Sequence, residues 1–150
     1  MRAVSATVNG AISIVNAIAT GKGAALGISK KVNVEIEASK GNGVTIESKN
    51  KQLSSRLINR VIEKIVPKNE LSKTKFRVYL NSEIPTGYGL KSSSAVSSAV
   101  AMCCAKLFKP KMNDFEILRS GVDASIETKV SLTGAYDDTC LLYTSPSPRD

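Results

Sequence analysis

The spacing of apolar positions changes several times along the chain, and each change marks an element. Over Arg2–Val8, Val4, Ala6 and Val8 alternate with Ala3, Ser5 and Thr7, the period of two that a strand requires. Past Gly10, Ile12, Val15 and Ala19, with Ile14 and Ile18, fall at helical spacing, so a helix is expected over Ala11–Ala19, ended by the glycines around Lys22. Leu26–Ile28 and Lys31–Ala38 read as strands, the second alternating Val32, Val34 and Ile36 with Asn33, Glu35 and Glu37. Gly41–Gly43 is a turn and Val44–Ser48 a third strand, which predicts a hairpin. Leu53, Leu57, Ile58, Val61, Ile62 and Ile65 then form one helical face, stopped by Pro67.

The second half continues in the same way. Phe76, Val78 and Leu80 form one face of a strand, and Val96, Val100, Cys103 and Leu107 form the buried stripe of a helix over Ser92–Phe108. Asn113 and Glu116 have the spacing of a capping box, opening a helix that carries Phe115, Leu118 and Val122 towards Thr128. Val130–Thr133 is a short extended piece, and Gly134–Asp138 is a turn with two adjacent carboxylates. Strands and helices in this order predict an α+β fold, a mixed sheet with helices packed on one face.

One stretch carries chemistry. Pro85–Ala95 reads P-T-G-Y-G-L-K-S-S-S-A, between a strand and a helix. Pro85 fixes its own φ and biases Ile84 towards extended backbone, so the strand ends there. Gly87 and Gly89 can take positive φ and bring the backbone close to a ligand. Leu90 is expected as the buried anchor of the loop. The hydroxyls of Ser92, Ser93 and Ser94 can bond free helix N–H groups, a phosphate or a metal ion. A glycine turn leading into a helix start concentrates N–H groups and positive dipole where an anion can sit. The same spacing also suits an ordinary helix cap. A Walker A loop is absent, because the sole Gly-Lys pair, Gly21–Lys22, is followed by Gly23 and has no upstream glycine at the required distance. G-x-G-x-x-G is absent too, since Gly87-x-Gly89 continues to Ser92.

Composition narrows the class. The apolar share of 42% with mixed charges suits a folded domain rather than a disordered chain. No apolar run is long enough to span a bilayer, and the N-terminus does not read as a secretory signal. The net charge of +8 fits nucleic acid or a protein that handles phosphates and carboxylates. The lysines are scattered without interleaved aromatics, so neither nucleic acid nor membrane is expected as a partner. With no histidine and three cysteines, Cys103, Cys104 and Cys140, neither a Cys/His zinc site nor a histidine-based triad can form. The helical cysteines read as small core residues in a reducing, cytoplasmic setting.

Pro85–Ala95 resembles the second motif of the GHMP kinases, P-x-x-x-G-L-x-S-S-x-A, at each fixed position. Lys91 stands where most of that family has a small residue, and G-L-K-S-S-S-A resembles the archaeal-type shikimate kinase branch. Ala11–Ala25 and Thr133–Asp138 (T-G-A-Y-D-D) resemble the same branch, in the same order. The resemblance implies a GHMP kinase N-terminal, ATP-binding domain over residues 1–140. It implies ATP and Mg²⁺ as cofactors, with transfer of the γ-phosphate to a small alcohol such as shikimate. Homoserine- or mevalonate-type kinases, and a non-catalytic basic RNA-binding module, are the alternatives.

Residue by residue, the resemblance implies that Pro85, Gly87, Gly89, Leu90, Lys91, Ser92, Ser93, Ser94 and Ala95 hold the triphosphate. Ser93 aligns with a Mg²⁺-coordinating serine. Glu127 lies at about the separation of the family's metal-binding glutamate, although a helix-surface carboxylate accounts for it equally. Asp137 aligns with an aspartate beside the substrate hydroxyl. Asn16, Lys22 and Lys91 are candidates for the substrate's polar groups, and for Lys22 the alternative is a cation favoured by a helix C-terminus. The segment after Cys140 (residues 141–150) has two prolines and no apolar period, and is expected to be a non-native or disordered tail. The family's C-terminal domain is expected to be absent and the fragment itself inactive. Oligomeric state is not legible.

Overall fold

A computed structural model describes residues 1–15, 21–49 and 54–130. The elements in chain order are β1 (Arg2–Val15), β2 (Ala24–Lys40), β3 (Gly43–Ser48), α1 (Ser55–Ile65), α2 (Lys68–Leu71), β4 (Thr74–Ser82), α3 (Ser92–Phe108) and α4 (Asp114–Glu127). The four strands form one sheet in the order β1-β2-β4-β3. β1–β2 and β2–β4 are antiparallel and β3–β4 is parallel, so the sheet is mixed as expected.

Register follows from the alternation. Val34 lies opposite Leu80, Ile36 opposite Val78 and Ala38 opposite Phe76. Val4, Ala6 and Val8 lie opposite Ile36, Val34 and Val32. The inward positions of β2 and β4 are buried, while Asn33, Glu35, Arg77 and Asn81 between them are exposed. One face of the sheet is therefore apolar and covered by helices, and the other is polar and open.

α3 is the centre of the helical layer. It packs on β1 and β2 and also touches α1 and α4. Its sequence suits that position, because Val96, Val100, Cys103 and Leu107 are joined by Ala95, Ala99, Ala101 and Ala105 in the core. Small side chains on several faces let neighbours approach from several directions. The far end of α3 is fastened to the sheet: Arg2 donates from Nη1 to the Leu107 carbonyl at 2.9 Å and its guanidinium lies 5.0 Å from the Phe108 ring centroid. A cation at a helix C-terminus offsets the carbonyl end of the dipole.

Several expectations are corrected. Ala11–Val15 is strand rather than the start of a helix, pairing with Ala24–Gly27 of β2. Its Ile and Val residues are β-branched, and cross-strand pairing outweighs a helical spacing that rests on a few apolar residues. Leu26–Ile28 and Lys31–Ala38 are one strand, broken only by a register irregularity facing Asn9 and Ala11. β3 makes no hairpin with β2; β4 inserts between them and β3 pairs parallel to β4 after the crossover through α1. Alternation shows which face of a strand is buried but not which strand lies beside it. Phe115 is exposed, and α4 buries Ile117, Leu118, Gly121, Val122, Ala124 and Ser125 instead. The one-turn helix α2 had no sequence signal. The expected Asn113 capping box and the Ser92 start of α3 are both present.

Candidate active site

The loop Pro85–Ala95 hangs between two fixed points. At its root Ile84 is buried in the core, and the Ser82 hydroxyl both donates to the Ile84 carbonyl and accepts from its N–H. Glu83 binds back to β2: its N–H donates to the Lys31 carbonyl at 2.9 Å, and the Lys31 N–H donates to its carboxylate at 3.1 Å. Leu90 is half-buried and packed against the core, so the expected anchor is only partly enclosed. At the other end the first turn of α3 is closed by the Ala95 N–H on the Lys91 carbonyl at 3.0 Å.

Between these points the backbone takes positive φ at every second residue: Gly87 (88°), Gly89 (72°) and Lys91 (57°). Alternating hands of backbone can turn successive N–H groups towards one side, as in an anion-binding nest. A Cβ added at Gly87 or Gly89 would meet nothing within 4 Å, so space is open beside the loop there. Tyr88 is exposed at its tip.

The helix start adds to this. Ser54 caps α1 and Asn113 caps α4 through their side chains, whereas Lys91 at the N-cap of α3 makes no side-chain cap bond. α3 also has no acidic residue in its first turn, while α4 has Asp114 and Glu116 there. The first-turn N–H groups and the positive dipole end of α3 are therefore not offset by a carboxylate of that turn. Ser92 is buried, and Ser93 and Ser94 are half-buried beside it.

Lys22 is exposed ahead of β2. Asn16, Asp137, Cys140 and the tail 141–150 lie outside the described residues. Glu127 ends α4, where one carboxylate oxygen receives Arg60 Nε at 2.5 Å and the other Lys64 Nζ at 2.6 Å. Those hydrogen bonds, Lys64 first and Arg60 second, hold the Glu127 carboxyl below the usual carboxylate range. The i, i+4 spacing of Arg60 and Lys64 puts both cations on one face of α1, the sequence signal for this pair. Among the described residues no group of three or more Cys, Asp or Glu is placed to hold a metal ion. Cys103 and Cys104 are buried free thiols, and burial pushes Cys103 up to about 12 and Cys104 further in the same direction. Both are packing residues and poor nucleophiles.

Comparison with known proteins fits this geometry. The sequence profile described as GHMP kinases N terminal domain matches residues 56–145, which include the whole loop and α3. The chain belongs to the GHMP kinase family. Among curated members it is 37% identical over 142 residues to the shikimate kinase of Thermococcus kodakarensis, covering 92% of this chain and 51% of that one. It is 40% identical over 138 residues to the shikimate kinase of Methanosarcina mazei, covering 89% and 46%. The chain thus spans about half the length of these relatives. The crystal structure of Methanococcus jannaschii mevalonate kinase superposes with a TM-score of 0.77 at 15% identity, over 95% of this chain and 51% of that one. At that identity the likeness shows the shared GHMP fold.

Proposed function

We propose that the chain is the nucleotide-binding half of an ATP-dependent kinase that phosphorylates a small-molecule alcohol, with shikimate as acceptor and shikimate 3-phosphate as product. The observation that carries this reading is the start of α3: a glycine loop with alternating positive φ runs into a helix whose N-cap residue makes no side-chain cap bond and whose first turn has no acid. Identity of 37% and 40% to two shikimate kinases supports the choice of acceptor. The product would feed synthesis of chorismate and the aromatic amino acids. The buried reduced thiols suit a cytoplasmic enzyme.

In this reading the N–H groups of Gly87–Ser94 and the serine hydroxyls bind the triphosphate oxygens. Such transfer depends on positioning and charge neutralisation more than on covalent chemistry by the protein. The Ser93 hydroxyl is a hard oxygen donor and suits Mg²⁺, which takes oxygen ligands and shares the phosphates. Bound there, the metal would neutralise charge on the β- and γ-phosphates. The substrate hydroxyl oxygen attacks the γ-phosphorus, the bond to the ADP oxygen breaks, and the hydroxyl proton passes to Asp137 or to water. Lys22, Lys91 and Asn16 would meet the acceptor's carboxylate and ring hydroxyls.

The test is a panel of shikimate, homoserine and mevalonate with ATP and Mg²⁺, followed by coupled ADP release. It is run on this chain and on this chain continued by the second half of a full-length relative. The continued protein should phosphorylate shikimate in preference to the others. Preference for another alcohol, or no transfer by either protein, would overturn the assignment.

A further inference from the structure

Glu127 stands at about the separation from Asp137 that the family's metal-binding glutamate keeps, but the structure gives its carboxylate other work. Each oxygen accepts one charge-assisted hydrogen bond, from Arg60 Nε at 2.5 Å and from Lys64 Nζ at 2.6 Å. Arg60 also reaches Glu63 at 2.9 Å, so the guanidinium bridges two carboxylates. Hydrogen bonds to Glu127 and then Glu63 raise the Arg60 guanidinium above its ordinary value.

Position on the helix explains the arrangement. Glu127 is the last residue of α4, where a carboxylate faces the negative end of the dipole. α4 has no basic residue in its last turn. Arg60 and Lys64, one turn apart on α1, supply the missing cations from the neighbouring helix. A divalent cation on this carboxylate would share it with two charge-assisted hydrogen bonds and sit beside two like charges, which repel it.

We propose that Glu127 is not a metal ligand but the anionic centre of a clamp with Arg60 and Lys64 that fixes the end of α4 to α1. Metal binding then falls to the nucleotide phosphates, water and the loop side of the site, with Ser93 as the protein's oxygen donor.

The part of this that concerns the metal rests on the nucleotide-binding reading, and two measurements separate the claims. The first is thermal unfolding of the parent, Glu127→Gln, Arg60→Gln/Lys64→Gln and the triple variant, at low and high salt. The clamp predicts that Glu127→Gln lowers Tm by about 2 °C or more at low salt, less at high salt, and has little further effect once Arg60 and Lys64 are replaced. The second is calorimetric titration of the parent and Glu127→Gln with ATP, with and without Mg²⁺. The Mg²⁺-dependent gain in ATP affinity should stay within about twofold in the variant, whereas loss of a metal ligand reduces it about tenfold or more. An unchanged Tm together with a tenfold loss of that gain would overturn the proposal. If the parent binds no ATP, the nucleotide reading fails, and the thermal cycle alone decides the clamp.

Discussion

Gly10 of β1 lies against Ile84 at the root of the glycine loop: a Cβ built on Gly10 would fall 2.9 Å from Ile84 Cδ1 and 3.1 Å from Ile28 Cδ1. Strand and loop root meet because one residue has no side chain. Ile84 is 1% exposed and has little room to retreat. Gly10→Val should cost about 1–3 kcal/mol of stability through overpacking and weaken ATP binding by shifting the root. Denaturant unfolding and calorimetry check both effects. A variant as stable as the parent would show that the contact is slack.

Lys91 carries a Cβ in left-handed backbone, φ 57° and ψ 35°, at the start of α3. That conformation costs a non-glycine residue about 1–2 kcal/mol. Lys91→Gly should therefore unfold at a higher temperature than Lys91→Ala, by an amount equivalent to about 1 kcal/mol, although both lose the same ammonium. The reverse order would mean that residue 91 is not left-handed in solution.

The core and the exposed face of α4 should respond unequally to substitution. Phe76 is 1% exposed and packs on Phe108 with ring centroids 5.8 Å apart, so Phe76→Ala should lose about 3–5 kcal/mol. Phe115 is 61% exposed, and Phe115→Ser should change stability by no more than about 0.5 kcal/mol. Urea midpoints of the two variants measure the contrast.

Much of this was written in the sequence, and the parts that were not share a cause. The loop was legible because Pro85, Gly87, Gly89 and the three serines each demand a local backbone state, and local demands survive folding. The inner faces of β2 and β4 were legible from alternation alone. The end of β1 was not, since Ile12, Ile14 and Val15 satisfy a helical period while favouring extended backbone, and only pairing with Ala24–Gly27 decides between them. The neighbours of β3 were not legible either, because pairing is a long-range choice. The partners of Glu127 lie more than sixty residues earlier, on a helix that the sequence could place but not orient.

The buried thiols give a pH dependence. Burial raises the Cys103 thiol to about 12, above the value of about 8.5 it has when unfolded. The folded state therefore holds that proton more tightly, and the stabilisation is complete below about pH 8.5 and is lost as pH rises towards 12. Tm should fall over this alkaline range, and Cys103→Ala/Cys104→Ala should flatten the fall. Melting curves at a series of pH values check the slope. A thiol-reactive dye should label neither Cys103 nor Cys104 until the chain unfolds.

The most direct measurement is calorimetric titration of the 150-residue chain with ATP in the presence of Mg²⁺, beside the variant Gly87→Val/Gly89→Val. Space beside both glycines is open, so the added side chains disturb the backbone and the cradle without colliding with the core. Saturable binding by the parent, weakened about tenfold or more in a variant that keeps its circular dichroism spectrum, is the expected result. No binding by the parent, or equal binding by both, would contradict the claim that this loop holds the phosphates.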